Sequence, residues 1–247
     1  MTTIIRSYTP QGFVIAADGR KCDSENPSRV IDTTQKIIGI EGETRQLGCS
    51  FAGVVELTRD QSEETALDFR TEARAAANGL SQQRFDDLFQ YAIAFASPIN
   101  RTLAEIKSSG EITNYESLSP GFVQRGEAIA LLWLDGYYHG VPSRVAIRFR
   151  HDNQELLEPE IVNEPFVLGT RWVLGPSRIP ARRVLDLSPG RCLADEVAAC
   201  RNYISACSDS ESIKIEPACL GIGGHIHIAT ITLADGFKWA IPPDADG

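Results

Sequence analysis

Thr2-Thr3-Ile4-Ile5-Arg6-Ser7-Tyr8-Thr9, followed by Gly12-Phe13-Val14-Ile15-Ala16-Ala17-Asp18-Gly19-Arg20, is the stretch on which the reading of this chain turns. Thr, Ile, Val, Phe and Tyr dominate both segments. Pro10-Gln11-Gly12 between them is turn chemistry, so residues 2–9 and 12–18 are predicted to pair as a hairpin. A second apolar run opens at Lys36 and continues Ile37-Ile38. Once Met1 is removed, Thr2 carries a hydroxyl and a free α-amine on one residue, a nucleophile with its own base attached. An ammonium at Lys36 is costly to bury without a partner, and Asp18 at the end of the hairpin is the partner at hand. Thr2, Asp18 and Lys36 together point to amide hydrolysis by an N-terminal threonine.

The bulk composition agrees with an ordinary globular protein. The chain has 247 residues, 43% hydrophobic and 23% charged, which suits one large domain or two small ones with a substantial core. A formal net charge of −9 argues against a nucleic-acid binder, which would show a basic face. There is no apolar run long enough to span a membrane and no secretory signal, so a cytoplasmic protein is expected. Cysteines at 22, 49, 192, 200, 207 and 219 form no C-x-x-C pair and read as reduced thiols, with Cys200 and Cys207 on one helix face.

Further along the chain, residues 19–35 are polar, contain Pro27 and read as a loop with a short strand near its end. Lys36–Ile40 and Leu47–Ala52 read as a second hairpin across Glu41-Gly42-Glu43. Residues 56–78 then show helical spacing through Leu57, Ala66, Phe69 and Ala73. Ser81 is predicted to cap a second helix carrying Phe85, Leu88, Phe89, Ala92 and Phe95, kinked at Pro98 and continued over Ile99–Lys107. Residues 108–126 read as an exposed loop. Strands are predicted at 127–134, 143–150 and 165–174, with a turn at Asp135-Gly136. A short helix over 178–187 and a stronger one over Leu193–Ala206 follow. A closing hairpin, His225–Leu233 and Phe237–Ile241, ends in a fraying tail. The order is β-rich, helices, β-rich, helices, β-rich. It predicts an α+β chain, two sheets with helices packed outside them, as a single domain over 1–247.

The opening stretch resembles the β-type subunits of the proteasome superfamily, which are N-terminal-nucleophile hydrolases. Thr2-Thr3-Ile4 and Gly12-Phe13-Val14-Ile15-Ala16-Ala17-Asp18-Gly19-Arg20 match the family's T-T-I and G-V-V-x-A-A-D-x-R at the same spacing. Gln35-Lys36-Ile37-Ile38 resembles its K-K-I segment, and Phe51-Ala52-Gly53 its A-G turn before the first helix. These motifs cover the first 53 residues; beyond them the match rests on element order. The resemblance implies a bacterial proteasome-like homologue with a four-layer α-β-β-α sandwich, two antiparallel sheets lying between helix layers.

It also implies roles. The Thr2 hydroxyl would attack an amide carbonyl to form an acyl-enzyme, with its α-amine as general base, directly or through water. Such an amine titrates near about 7.7–8.0, and a nearby cation lowers it. Lys36 would favour the deprotonated hydroxyl, and Asp18 would hold Lys36 in place. Gly53 would offer its N–H to the oxyanion, a contact worth about 10²–10³ in rate; read locally, it is equally a turn glycine. Arg20 is implied to be a supporting charge. Ser177 in Gly175-Pro176-Ser177 corresponds to the serine of the family's G-S-G turn, with Gly169-Thr170 as a rival. The family's D-x-x-S falls on Asp209 and Ser212, or on Cys219 and Ile222 if the alignment follows Gly223-Gly224 instead. Lys21, Thr34, Ile38, Phe51 and Val55 would line a shallow pocket for the residue before the cut. The partners implied are a peptide or unfolded-protein substrate and copies of the chain in a homo-oligomeric double ring, with an ATPase regulator left open. The mechanism calls for no metal and no cofactor.

Two other readings stand beside the threonine peptidase: a non-peptidolytic amidase acting on a small amide, and a catalytically silent ring-forming homologue. His225-x-His227 places two imidazoles on one strand face. Catalytic zinc takes three protein ligands, and no third is apparent, so both read as sheet histidines. Gly221-Ile222-Gly223-Gly224 fits neither G-x-G-x-x-G nor a P-loop.

Overall fold

The structure, a computed structural model, describes residues 2–22, 30–53, 55–58, 64–110, 128–152, 155–187 and 192–244. The opening stretch forms β1 (Ile4–Thr9) and β2 (Gly12–Ala17), paired antiparallel from Ile4↔Ala17 to Thr9↔Gly12. After them come β3 (Lys21–Cys22), β4 (Val30–Ile31), β5 (Ile37–Gly42), β6 (Arg45–Gly53), β7 (Glu56–Thr58), β8 (Thr65–Asp68), α1 (Phe69–Gly79) and α2 (Leu88–Ser109). The second half carries β9 (Ala128–Tyr138), β10 (Val141–Asp152), β11 (Glu155–Leu156), β12 (Glu160–Asn163), β13 (Arg171–Leu174), α3 (Pro180–Leu187), α4 (Leu193–Cys207) and α5 (Ser210–Ile215). A 3₁₀ turn (Pro217–Gly221), β14 (His227–Thr232) and β15 (Gly236–Ile241) complete it. The chain is α+β, with antiparallel sheets. No described helix is long and apolar enough to cross a membrane.

The residues fall into two compact units, one of Met1–Ser50, Asp135–Pro142 and Pro165–Gly247, the other of Phe51–Leu134 and Ser143–Glu164. In the first, a five-stranded sheet runs β13-β1-β2-β14-β15. Strand alternation sends Ile5, Val14, Ala16 and Ile228 to one face, where they meet Ile179 just before α3, Leu185 of α3, and Cys200, Tyr203, Ile204 and Cys207 of α4. Each large aliphatic side chain buried there stabilises by about 1.5–3 kcal/mol. The opposite face carries Ile15, Ile231 and Phe237, which press on Gly48 of the β5–β6 hairpin. Ion pairs also cross this unit's interior. Arg171 of β13 grips Glu196 of α4 through Nε–Oε1 at 2.5 Å and Nη2–Oε2 at 2.6 Å, while its Nη1 donates to the Leu185 carbonyl. Arg6 faces Asp135 at 3.4 Å and lies over the Trp172 ring.

In the second unit α1 packs on α2, and the Thr102 hydroxyl of α2 donates to Glu72 of α1 at 3.2 Å. β9 neighbours β10, and β10 pairs with β12 from Val145↔Asn163 to Arg148↔Glu160. Phe69 of α1 meets Phe149 of β10 with ring centroids 5.6 Å apart.

The structure departs from the sequence reading at several points. The helix expected over 56–78 begins only at Phe69. Before it, β7 and β8 pair with Leu57 opposite Leu67, and the Asp68 carboxylate accepts from Arg70 N at 2.9 Å, capping a helix that cannot start earlier. The second helix starts at Leu88 rather than after Ser81, because Asp87 is its cap, accepting from Gln90 N at 2.9 Å. The β5–β6 turn lies at Glu43-Thr44, with Gly42 opposite Arg45. Asp135-Gly136 is not a turn but the end part of β9. Asp135 answers Arg6, and Gly136, at φ 146°, leaves no room for a Cβ, which would fall 2.2 Å from the Gln46 carbonyl. The turn comes at His139-Gly140, with φ of 50° and 74°, the two positive values a two-residue hairpin loop requires. The strand expected over 165–174 is confined to Arg171–Leu174. Met1 and the predicted loop from residue 111 onward lie outside the described residues.

Candidate active site

Asp18 leaves the end of β2 fully buried, and four donors converge on its carboxylate. Oδ1 accepts from Thr3 N at 2.8 Å and from Lys36 Nζ at 2.9 Å. Oδ2 accepts from Arg20 N and Gly223 N, each at 3.3 Å. The Thr3 carbonyl in turn accepts from Asp18 N at 3.3 Å, extending the β1–β2 ladder to the residue next to Thr2. Lys36, only 2% exposed along its side chain, also donates from Nζ to the Arg20 carbonyl at 2.7 Å. A buried ion pair needs such additional hydrogen bonds to offset its desolvation. Thr2, half-buried, is therefore held one peptide away from a carboxylate–ammonium pair. Arg20 braces the surrounding loops, bonding both carboxylate oxygens of Asp32 at 2.7 and 3.1 Å and the Leu220 carbonyl at 3.2 Å.

The sequence reading missed His227, whose only signal was the His225-x-His227 spacing. β14 pairs with β2 so that His227 lies opposite Ala17, one residue from Asp18. Its Nε2 accepts the backbone N–H of Lys36 at 2.9 Å, and its ring meets Trp239 edge-on at 6.2 Å. Burial, then the Lys36 cation, pushes the imidazole down to about 3, partly offset by a backbone hydrogen bond with His225. An unfolded histidine titrates near about 6.5, so below that pH the unfolded chain binds a proton that the folded chain refuses. The sign is fixed: stability is full above about pH 6.5 and falls as pH drops, by up to about 1.4 kcal/mol per unit, until the folded ring itself titrates. Urea denaturation between about pH 7 and about pH 4.5 should therefore show a decline in the wild type that is shallower by about one proton in His227→Gln. Equal slopes would mean that the ring is charged in the fold.

The other expected positions are distributed as follows. Ser177 lies exposed in the loop after β13, which abuts the opening stretch: a Cβ on Gly175 would fall 3.0 Å from Thr3 Oγ1 and 3.2 Å from the Tyr203 hydroxyl. Tyr203 of α4 donates to the Pro176 carbonyl at 2.5 Å, and Glu216 accepts from Ser177 N and Arg178 N at 3.0 and 2.8 Å, pinning this loop. Gly169 and Thr170, the rival, form the turn before β13. Asp209 is the exposed residue before α5, and Ser212 is buried within that helix. Cys219 and Ile222, their alternatives, are fully buried in the cluster beneath α4, and Gly223 next to them reaches Asp18. Thr34 and Ile38 are buried in the first unit, and Lys21 is half-buried there. Gly53, at φ 85°, and the buried Phe51 and Val55 belong to the second unit. Among the described residues no group of three or more His, Cys, Asp or Glu side chains is placed to hold a metal ion.

No family model matches this chain, and neither does any curated protein. Solved structures match along nearly its whole length. The chain is similar to an Anbu (Gly-1) mutant from Hyphomicrobium sp. strain MC1, at 11% identity and a TM-score of 0.58 over 98% of this chain and 89% of that one. It is similar also to Anbu (ancestral beta-subunit) from Yersinia bercovieri, at 9% identity and 0.55 over 96% and 86%. The Anbu complex of Pseudomonas aeruginosa, described as a helical assembly, matches at 14% identity and 0.54 over 99% and 88%. The fold is the one these Anbu structures share. The assignment to proteasome-type β subunits is corrected accordingly: the matched structures are Anbu proteins, and no family model or curated relative supports a proteasomal subunit. The motif agreement was confined to the first 53 residues, where a hairpin ending in Asp18 and a strand opening with Lys36 produce the same spacing.

Proposed function

We propose that this chain is an N-terminal-nucleophile hydrolase that cleaves peptide bonds with Thr2, and that it works in a self-assembled oligomer. The observation that carries the reading is the buried Lys36–Asp18 pair, bonded through the same carboxylate oxygen to the N–H of Thr3. With Thr2 exposed as the first residue, its hydroxyl attacks the scissile carbonyl, forming a C–O bond, and its proton passes by way of the α-amine to the departing amine as the C–N bond breaks. Water then hydrolyses the ester and restores the hydroxyl. Lys36 supplies positive charge beside the hydroxyl, and Asp18 holds Lys36. Ser177 is assigned a supporting place on the loop pinned by Tyr203 and Glu216; Asp209 and Ser212 are the assigned pair beyond α4. The helix–sheet–sheet layering within the first unit supports the four-layer α-β-β-α reading, and the helical assembly described for one Anbu complex supports self-association here.

The test is the intact mass of protein purified from cells, before and after an epoxyketone peptide, a reagent that needs a hydroxyl and a free α-amine on one residue. The expected result is loss of Met1 and one adduct per chain, absent in Thr2→Ala. A retained residue ahead of Thr2 with no adduct overturns the reading. A free Thr2 that ignores the peptide reagent but turns over small amides overturns the substrate class alone.

A further inference from the structure

We propose that His227 is the positioning residue for Lys36: its Nε2 fixes the backbone of Lys36 so that the ammonium stays on Asp18, next to Thr2. The catalytic consequence rests on the reading of Thr2 given above.

Lys36 stands at the junction of the polar loop with β5, where a long flexible side chain has to deliver its charge to one carboxylate. It is held at both ends. Nζ is bonded to Asp18 Oδ1 at 2.9 Å and to the Arg20 carbonyl at 2.7 Å, and the backbone N–H to His227 Nε2 at 2.9 Å. The anchor for the second end comes from β14, whose register puts His227 beside the strand that carries Asp18. One inter-strand pairing thus sets the separation between the lysine backbone and its carboxylate. An accepting Nε2 requires the proton to sit on Nδ1, so the ring must be neutral. Protonation would turn the acceptor into a donor aimed at an N–H, and would place a second cation near Lys36. The charged and titratable groups bearing on the ring are Lys36 and His225; Trp239 closes its edge. With the ring 1% exposed, water cannot replace the lost acceptor, so removing it leaves the Lys36 N–H to find a partner by moving.

The test compares wild type, His227→Leu, which keeps bulk without an acceptor, and His227→Gln, whose carbonyl can accept. Adduct formation with the epoxyketone peptide is resolved into reversible affinity and maximal rate. We expect His227→Leu to lose about 10- to 100-fold in maximal rate with affinity unchanged, and His227→Gln to recover most of it. Alongside, ¹⁵N-histidine spectra of the full-length wild type report the ring directly, and a neutral His227 protonated on Nδ1 is expected. Equal maximal rates in wild type and His227→Leu, or a His227 ring protonated on Nε2, overturn the proposal. If the wild type forms no adduct and turns over no small amide, the reading of Thr2 fails by itself. The spectrum then decides whether His227 holds Lys36.

Discussion

On the mechanism proposed above, Lys36→Met is expected to slow peptide hydrolysis by about 10²–10⁴-fold while the chain still folds. Methionine has nearly the length of the lysine stem and fills the same buried space without charge. Asp18 is not stranded by the change, because Thr3 N, Arg20 N and Gly223 N continue to donate to it. What disappears, on that mechanism, is the positive charge that favours the deprotonated Thr2 hydroxyl. Steady-state cleavage of a fluorogenic peptide, with a thermal melt of the same preparation, checks both halves. A Lys36→Met protein that melts like the wild type and cleaves at the same rate would remove Lys36 from the mechanism.

Glu196→Gln is expected to destabilise by about 3–5 kcal/mol. The side chains of Arg171 and Glu196 are only 7% and 1% exposed and meet through two parallel hydrogen bonds, so the guanidinium depends on that carboxylate for its counter-charge. The glutamine amide presents one oxygen and an NH₂ group to a donor-only fork. At about 2–4 °C per kcal/mol, the melting temperature should fall by roughly 6–20 °C. Replacing both members, as Arg171→Met with Glu196→Leu, should recover most of the loss, because the cost lies in the unpaired buried charge rather than in the absent pair. A single Glu196→Gln variant within about 1 kcal/mol of wild type by urea denaturation would show that water reaches the guanidinium.

The opening hairpin and the strand after Lys36 could be read from the sequence because both are short runs rich in β-branched and aromatic residues, and the cost of burying Lys36 pointed to a partner, which the structure provides in Asp18. His227 could not, because its place depends on β14 lying against β2, a pairing across the length of the chain that no local pattern specifies. Residues 56–68 show how a helical period can mislead: Leu57 and Ala66 have the spacing, but Leu57 pairs with Leu67 and the Asp68 cap marks the true start. Asp135-Gly136 misled for the opposite reason. Its turn-like pair of residues is used inside a strand, where Asp135 is needed by Arg6, a partner 129 positions away. The choice between Asp209–Ser212 and Cys219–Ile222 was ambiguous because α5 and the 3₁₀ turn that precede Gly223 carry too weak a period to be recognised.

The Asp18 carboxylate has a consequence for the order in which the molecule becomes competent. Its donors Thr3 and Gly223 come from opposite ends of the sequence, Gly223 lying 205 positions beyond Asp18. During synthesis the hairpin that leads to Asp18 is made 205 residues before Gly223, and Lys36 191 residues before His227 and its strand. Until that strand docks, Asp18 lacks the Gly223 donor and Lys36 lacks its imidazole anchor. A nascent chain therefore holds Asp18 and Lys36 before either has its partner from the second half, and the buried pair is completed only when the fold is.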